Sequence, residues 1–306
     1  MIARLENLRR HKAVFRHLTG LGVNLFDALA AELVPAVEAE RLQALSRPGR
    51  RRAVGGGDTF DLPVIDQLLL TVIWLRHYLT QECLGFLFGC SDSTALRAVR
   101  RCLPALAASG RDGMRLPDPG RGRRKPLPSL LAECPGLAAV VDSFEQPIQR
   151  PSRRQRAYYS GKKKRHTVKS QVVADEETGE VCHVGPSRPG PWADIKAFRR
   201  SGVKSLLPRG LSVIGDSGYP GIDKEVRRGA GGRPRPKPPK KPRPAEDRRY
   251  NRAFARRRVV VEHTIGRIRR FKALAEQDRH WRWLHTERVQ AAAGLVNRQI
   301  RDRLAA

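Results

Sequence analysis

The stretch Leu137-Ala-Ala-Val-Val-Asp142 is a short apolar run that ends on a carboxylate, and Leu211-Ser-Val-Ile-Gly-Asp216 is a second run of the same kind. Continuous apolar runs of this length, with β-branched residues, are typical of strands buried on both faces. In open α/β sheets, functional groups collect just beyond the carboxyl ends of such strands. The two runs therefore predict one site that contains two carboxylates, Asp142 and Asp216.

The charge of the chain indicates a polyanionic partner. Its 306 residues include 60 Lys and Arg against 30 Asp and Glu, a net charge of +30, and 40% of the residues are hydrophobic, enough for a core. A GC-rich genome explains the choice of Arg over Lys, but it does not explain the excess of basic over acidic residues. Phosphate backbones are the commonest partner of such a surface, so the composition predicts a nucleic-acid-binding protein.

The cysteines predict a protein of a reducing compartment, and the apolar segments predict that it does not span a membrane. The five cysteines form no CxxC pair, which argues against a disulfide framework or a thiolate zinc site. The N-terminus lacks the apolar core of a signal peptide. The most apolar window, residues 62–78, is interrupted by Asp66 and Arg76 and is too short to span a bilayer. We therefore expect a cytoplasmic protein with no membrane partner.

The N-terminal half predicts an all-helical DNA-binding region. Residues 1–58 are assigned to helices and a basic linker, and residues 59–108 to a helix-turn-helix with Gly89 at its turn. Its last helix, from Ser91 to about Leu103, has one apolar face and one polar, basic face. An ordinary amphipathic helix pair is the alternative reading. The residues predicted to contact DNA from this helix are Ser93, Thr94, Arg97, Arg100 and Arg101.

The C-terminal half, residues 137–306, follows a basic Gly- and Pro-rich linker at 109–136. Its predicted order is strand, hairpin, helix, strand, insertion and long helix, which is a ribonuclease H-like mixed sheet flanked by helices in an α/β (α+β) fold. A right-handed crossover would place the two acid-terminated strands side by side and parallel. The insertion at 226–244 is rich in Pro and charge, which predicts disorder.

Two carboxylates at neighbouring strand ends predict a metal site. Asp142 and Asp216 could not both be charged at close range without a cation or a proton between them. Glu262, on the long helix, would complete an oxygen-rich pocket that selects Mg²⁺ or Mn²⁺. Two such ions would clamp an in-line phosphoryl displacement. The alternatives are that the aspartates form turns and that Glu262 makes a surface ion pair with Arg258.

Seven motifs resemble those of a known family. The chain is similar to bacterial insertion-sequence transposases of the DDE class, in the insertion-sequence five group, which are akin to the Harbinger-like DDE endonucleases. The motifs that carry this resemblance are Leu68-Leu-Leu-Thr-Val-Ile-Trp-Leu-Arg-His-Tyr78, Leu84-Gly-Phe-Leu-Phe-Gly89, Ser91-Asp-Ser-Thr94, Val141-Asp-Ser-Phe-Glu145 with Pro147-Ile148, Tyr159-Ser-Gly-Lys162, Gly215-Asp-Ser-Gly-Tyr-Pro-Gly221 and Arg258-Val-Val-Val-Glu-His-Thr-Ile-Gly266.

The resemblance implies roles for individual residues. It implies that Asp142, Asp216 and Glu262 are a catalytic triad that binds two Mg²⁺ ions, or Mn²⁺ as a substitute. The side chains expected to contact DNA outside the helix-turn-helix are Lys162, Lys163, Lys164, Arg258 and Arg269.

Three positions depart from the family pattern or compete with it. Ser143-Phe144 stands where the family usually has Gly-Thr, and Ala255 stands where related transposases often have Tyr. Asp194, in a motif at the start of a helix, is a rival to Asp216 as second carboxylate. These departures leave the loop over the metals and the identity of the second carboxylate open.

The activity implied is that of a bacterial, nucleoid-associated DNA transposase. It would bind the terminal inverted repeats of its element, hydrolyse phosphodiester bonds at the ends and join the freed 3′-OH to target DNA. Joining two ends implies a homodimer or a higher oligomer on double-stranded DNA. The alternatives are an inactive or repurposed DNA-binding remnant and a general metal nuclease.

Overall fold

A computed structural model describes residues 3–46, 49, 62–117, 137–226 and 231–306. Within these ranges the helices are α1 Leu5–Arg9, α2 Lys12–Thr19, α3 Val23–Leu45, α4 Val64–His77, α5 Gln81–Phe88, α6 Asp92–Asp112, α7 Gln155–Tyr158, α8 Asp194–Arg199, α9 Val203–Leu206, α10 Ala245–Ile268 and α11 His285–Ala305. The strands are β1 Leu137–Pro147, β2 Tyr159–Ser160, β3 Arg165–Asp175, β4 Val181–Val184, β5 Arg188–Pro189, β6 Ser212–Ile214 and β7 Gly231–Gly232.

The sheet is mixed, and β1 lies at its centre. The strand order is β2-β3-β1-β6-β7, and β4 and β5 also pair with β3. β1 runs antiparallel to β3 and parallel to β6, and β6 runs parallel to β7. A long antiparallel meander followed by parallel strands on the other side of β1 is the ribonuclease H-like arrangement, so the predicted fold class is confirmed.

Both faces of the first half of β1 are buried, which explains the apolar run before Asp142; the strand does not end at Asp142, as that run predicts, but continues to Pro147 because it stays paired with β3. Val140 and Phe144 face a core shared with the helical region, whereas Ala139 and Val141 face a second core under α8. All four side chains are almost completely buried. Because successive side chains of a strand point to opposite faces, a strand between two cores needs apolar residues at every position.

The N-terminal helices share their core with the catalytic half. α4 is buried on all sides from Leu68 to Leu75, and α11 packs along α6. No single helix in the described ranges is long and apolar enough to cross a membrane; α2 and α3 satisfy the length and composition criteria only as a pair bent by 57°. Residues from the N-terminal helices and from β1, α10 and α11 pack in one hydrophobic core, so the two halves of the chain do not form separate cores.

α6 is longer than the sequence indicates. It was expected to end near Leu103, but it continues through Pro104 to Asp112, and so includes residues 109–112 of the expected linker. Its extension is stabilised by burial, because Ala105, Leu106 and Ala107 all lie in the shared core. Residues 113–117 of that linker have no regular secondary structure, and residues 118–136 lie outside the described residues.

Part of the insertion expected to be disordered is ordered. Gly231 and Gly232 form β7, and the Arg235 guanidinium lies 4.5 Å from the ring centroid of Tyr250 in α10. A Cβ on Gly231 would lie 2.3 Å from the Cα of Asp223, so only glycine fits at this edge of the sheet. Residues 227–230 of the insertion lie outside the described residues.

The crossing of α6 and α11 depends on two glycines. A Cβ on Gly294 would lie 2.5 Å from the Cα of Gly110, and a Cβ on Gly110 would lie 2.4 Å from the backbone oxygen of Gln290. The backbones of the two helices are in direct contact, so neither can move away without opening the shared core.

We expect Gly294→Ala to lower the free energy of unfolding by about 1–3 kcal/mol, because the added methyl group forces the two helices apart. The matched control is Gly266→Ala in α10, where no atom lies within 4 Å of the added Cβ. That change should raise stability by up to about 1 kcal/mol, since alanine has the higher helix propensity. Urea denaturation followed by circular dichroism measures both; equal effects of the two variants would contradict the close helix contact.

Candidate active site

Asp142 and Asp216 lie at the same level on two neighbouring parallel strands. Val140 of β1 pairs with Ile214 of β6, and each aspartate follows its member of the pair by two residues. The Asp216 carboxylate accepts a hydrogen bond of 2.8 Å from the backbone N–H of Gly218, which fixes the turn after β6. The parallel register predicted from the two apolar runs is therefore present.

The Asp142 carboxylate is largely buried and partly compensated. It accepts a hydrogen bond of 2.7 Å from the backbone N–H of Ser143, and its other oxygen lies 3.6 Å from Nη2 of Arg258. Burial raises the pKa of Asp142 to about 6; the Ser143 hydrogen bond and Arg258 oppose this shift, whereas the charges of Asp216 and Asp194 add to it. The site thus disfavours a negative charge on Asp142 when no further cation is bound.

The raised pKa of Asp142 predicts a pH-dependent cost to stability. The pKa of Asp142 is higher in the folded protein, at about 6, than in the unfolded chain, where it is near 4. Its protonated carboxyl group therefore stabilises the fold below pH 4, and this contribution is lost as the pH rises through about 6. In metal-free buffer at pH 8, Asp142→Asn should therefore be more stable than wild type by about 2 kcal/mol, and the difference should vanish near pH 4. Thermal unfolding across this range tests it, with the exposed Asp223→Asn as control; a constant difference would contradict the shift.

Glu262 lies on α10, in an ion pair with Arg258. The distance from Arg258 Nη2 to Glu262 Oε1 is 2.9 Å, and the Glu262 side chain is 53% exposed. Arg258 therefore lies between Asp142 and Glu262. Within the part of the chain that the structure describes, no three His, Cys, Asp or Glu side chains converge closely enough to hold a metal ion. The predicted triad is connected through Arg258 and is not gathered into a single cage.

Asp194 lies beside Asp216 but is already paired. Its Oδ1 is 2.8 Å from Nζ of Lys169, a buried lysine on β3. A Cβ on Gly218 would lie 2.5 Å from an Asp194 oxygen and 2.9 Å from an Asp216 oxygen, so glycine is what allows these two carboxylates to lie side by side. The Lys169 ammonium neutralises Asp194, which favours Asp216 over Asp194 as a ligand.

Sequence reasoning missed the polar groups that support the site from β3. Lys169 and Gln171 occur on alternate positions of this buried strand and point to the same face. Gln171 donates hydrogen bonds to the Tyr219 hydroxyl at 3.1 Å and to the Asp194 backbone oxygen at 3.2 Å. Two polar residues spaced by two within an apolar strand were the available signal.

The unusual Ser143-Phe144 pair fits the structure. The Ser143 hydroxyl lies 2.9 Å from the hydroxyl of the buried Tyr219, which connects β1 to the turn after Asp216. Phe144 packs in the shared core. The departure from Gly-Thr therefore adds a contact between the strands that carry the two aspartates.

The residues predicted to contact DNA differ in exposure. On α6, Ser93, Arg97 and Arg100 are exposed and Thr94 is half-buried, whereas Arg101 donates a hydrogen bond of 2.6 Å to Gln67 of α4. Ser91 caps the helix by accepting from the backbone N–H of Thr94. Of the DNA contacts predicted in the C-terminal half, Lys162, Lys163 and Lys164 in the turn before β3 and Arg269 just after α10 are exposed, whereas Arg258 is half-buried.

The chain is similar to known proteins over both halves. Residues 141–297 match the family described as DDE superfamily endonuclease, and residues 60–112 match the helix-turn-helix of DDE superfamily endonuclease. The probable transposase for insertion sequence element IS702 of Microchaete diplosiphon is 30% identical over 286 residues, 94% of each chain.

A second relative and one solved structure extend the likeness. The putative transposase for insertion sequence element IS112 of Streptomyces albus G is 29% identical over 228 residues, which cover 73% of this chain and 76% of that protein. The cryo-EM structure of a piggyBac transposase synaptic complex with hairpin DNA aligns with a TM-score of 0.44 and 11% identity, over 94% of this chain and 73% of that one.

Proposed function

Because the chain belongs to the DDE superfamily of endonucleases, among the transposases of insertion sequences, we propose that it acts on the insertion sequence that encodes it. It would cut DNA at the ends of that element and join the freed 3′-OH to target DNA. The observation that carries the proposal is the placement of Asp142 and Asp216 at one level of two adjacent parallel strands. Asp142 lies in the middle of β1 and Asp216 just beyond the end of β6, and two carboxylates at one level of neighbouring strands are suited to hold cations against a phosphate.

The donor set suits a hard divalent cation. All three predicted ligands, Asp142, Asp216 and Glu262, offer oxygen atoms. Burial is the main cause of the raised pKa of Asp142, and the charges of Asp216 and Asp194 add to it; a bound cation would offset the repulsion among these carboxylates. Two Mg²⁺ ions, or Mn²⁺ in their place, would supply Lewis-acid stabilisation of the phosphoryl transition state. Glu262 can join the other two carboxylates only after it leaves the guanidinium of Arg258.

The chain's own groups hold and orient the carboxylates. The Ser143 N–H fixes the Asp142 carboxylate, the Gly218 N–H fixes that of Asp216, and Lys169 neutralises Asp194. Once Arg258 is released from Glu262, its guanidinium is free to bind a DNA phosphate. We assign backbone phosphate contacts to this residue and to Arg269.

We propose that α6 enters the major groove of the terminal inverted repeats. Ser93, Arg97 and Arg100 project from its exposed face, which suits contacts with base edges and phosphates. Arg101 is bound to Gln67, so we assign it the support of α6 against α4, beside any contact with DNA. Lys162, Lys163 and Lys164 offer a second basic surface for the duplex, and a homodimer would present one such set to each end.

To test the proposal, the protein is incubated with duplexes that carry the DNA flanking its gene or with scrambled duplexes, in Mg²⁺ or in EDTA, and cleavage is compared. We expect nicking at the element ends that requires Mg²⁺ and is absent on scrambled DNA. Cleavage of both duplexes alike would identify a general nuclease, and specific binding without cleavage would identify a DNA-binding remnant. A complex that holds two ends per two chains would support the dimer.

A further inference from the structure

A large cavity lies between the DNA-binding helix and the catalytic half. Its volume is about 910 Å³, and its walls come from α4, from the outer part of α6 and from residues 279–288. Trp74, Leu96 and Arg100 line one side, and His280, Trp281 and Trp283 line the other. None of the candidate active-site carboxylates borders it, so it is a separate site.

Two exposed indole rings border this cavity. The side chains of Trp281 and Trp283 are 66% and 71% exposed. They lie at a short 3₁₀ turn, Arg282–Leu284, where the Arg282 guanidinium lies 4.7 Å from the ring centroid of Tyr158. Flat aromatic faces left open beside a DNA-binding helix are suited to stack on planar rings.

The wall of the cavity contains hydrogen-bond donors that are not used. Among the described residues, Trp74 Nε1 and the Nε and Nη1 atoms of Arg288 are buried and have no hydrogen-bond partner. Both side chains are at most 1% exposed, and the remaining Arg288 nitrogen, Nη2, binds Asp278. Buried donors without partners are costly, so their presence in a cavity wall points to a ligand that offers acceptor atoms.

The charge around the cavity selects the kind of ligand. Arg100 and Arg279 line it, and Arg97 lies one helical turn from Arg100 on the exposed face of α6. Glu287 is an acidic residue of the lining, and its buried Oε2 has no hydrogen-bond partner, so it can accept a hydrogen bond from an exocyclic amino group. A second copy of a chain with net charge +30 would be repelled by this rim. An unpaired nucleotide fits all three features, because its base stacks on indole, its edge carries acceptor atoms and its phosphate is an anion.

We propose that this cavity binds one unpaired nucleobase of the DNA held by α6. The base stacks against Trp281 or Trp283, its acceptor atoms face Trp74 and Arg288, and its flanking phosphates lie toward Arg100 and Arg279. The proposal rests on the DNA-binding part of the proposed function but not on cleavage. It assigns to the chain a role in recognising distorted or opened DNA beside the site that α6 reads.

The test compares two duplexes of the same sequence, one fully paired and one with a single bulged adenine, by fluorescence anisotropy. Wild type should bind the bulged duplex about tenfold more tightly. The double variant Trp281→Ala/Trp283→Ala should lose that preference and still bind the paired duplex, and Trp281→Phe/Trp283→Phe should restore it. The matched control is Leu206→Ala, which removes an apolar side chain that is 61% exposed on α9, outside the helix-turn-helix, and does not line the cavity.

The outcomes separate this site from the proposed function. Equal binding of both duplexes by wild type, or a preference kept by the double Ala variant, would overturn the base site. If wild type bound neither duplex, the proposed function itself would be overturned. Sedimentation of the same proteins without DNA gives a further check: a dimer that the double Ala variant dissociates would make the indoles a protein interface and would also overturn the proposal.

Discussion

Asp142→Asn and Asp216→Asn are each expected to lower Mg²⁺-dependent cleavage of element-end DNA by roughly a thousandfold or more, while binding of the same DNA is retained. The two carboxylates lie at one level of adjacent parallel strands, and an amide cannot supply the negative charge that holds a divalent cation there. Binding should be retained because neither side chain lies on α6. Gel-based cleavage and anisotropy on one DNA fragment measure both quantities.

The same assay decides between Asp216 and its rival. Asp194 is paired with Lys169 at 2.8 Å, so Asp194→Asn should lower cleavage less than Asp216→Asn does. The exposed Asp223→Asn, in the same half of the chain, should have no effect and serves as the matched control. If Asp194→Asn proved as damaging as Asp142→Asn and Asp216→Asn did not, the second carboxylate would have to be reassigned.

The contribution of Glu262 to metal binding is less evident from the sequence than that of the two aspartates, because Glu262 forms an ion pair with Arg258. The Arg258 guanidinium lies 2.9 Å from Glu262 and 3.6 Å from Asp142, so it compensates the charge of both carboxylates. Spacing by four residues on a helix predicted the first contact. The second depends on how α10 crosses β1, and nothing local in the sequence of either element specifies that crossing.

The two acid-terminated strands were predictable because their physics is local. An apolar run between two cores, followed by an acid, is visible in six consecutive residues, Leu137–Asp142. The end of the strand was wrong, because β1 continues past Asp142 to Pro147 in its pairing with β3. The parallel partner followed from the handedness of the crossover, and β1 and β6 do pair in parallel.

Contacts over long sequence separations could not be predicted in this way. The Lys169–Asp194 pair joins β3 to α8, and the Gly110–Gly294 crossing joins residues that are far apart in the chain. β7 consists of two glycines, which have low strand propensity, so it forms only because β6 offers it an edge. The sequence predicts a disordered insertion at Gly231 and Gly232, whereas tertiary packing gives these two residues their strand structure.

The buried carboxylate of Asp278 connects the two halves of the chain, because it pairs with Arg288 in the C-terminal half and accepts a hydrogen bond from Tyr78 in the helical region. Asp278 and Arg288 are each 1% exposed, with Nη2 2.5 Å from Oδ2. The other Asp278 oxygen accepts from the hydroxyl of Tyr78, at the C-terminal end of α4, and from the backbone N–H of His280. The Asp278 carboxylate thus connects three parts of the fold: the helical region, the segment that follows α10, and helix α11.

Asp278→Asn should therefore lower the free energy of unfolding by about 3–5 kcal/mol, because it leaves the buried Arg288 guanidinium without a counter-charge. Glu276→Gln is the matched control: its partner Lys272 lies 3.9 Å away on the surface, so its loss should cost well under about 1 kcal/mol. Urea unfolding followed by circular dichroism and by tryptophan fluorescence should give one shared, shifted transition, since Tyr78 belongs to the helical region and Arg288 to α11. Two separate transitions, with only one of them shifted, would mean that the halves fold independently despite their common core.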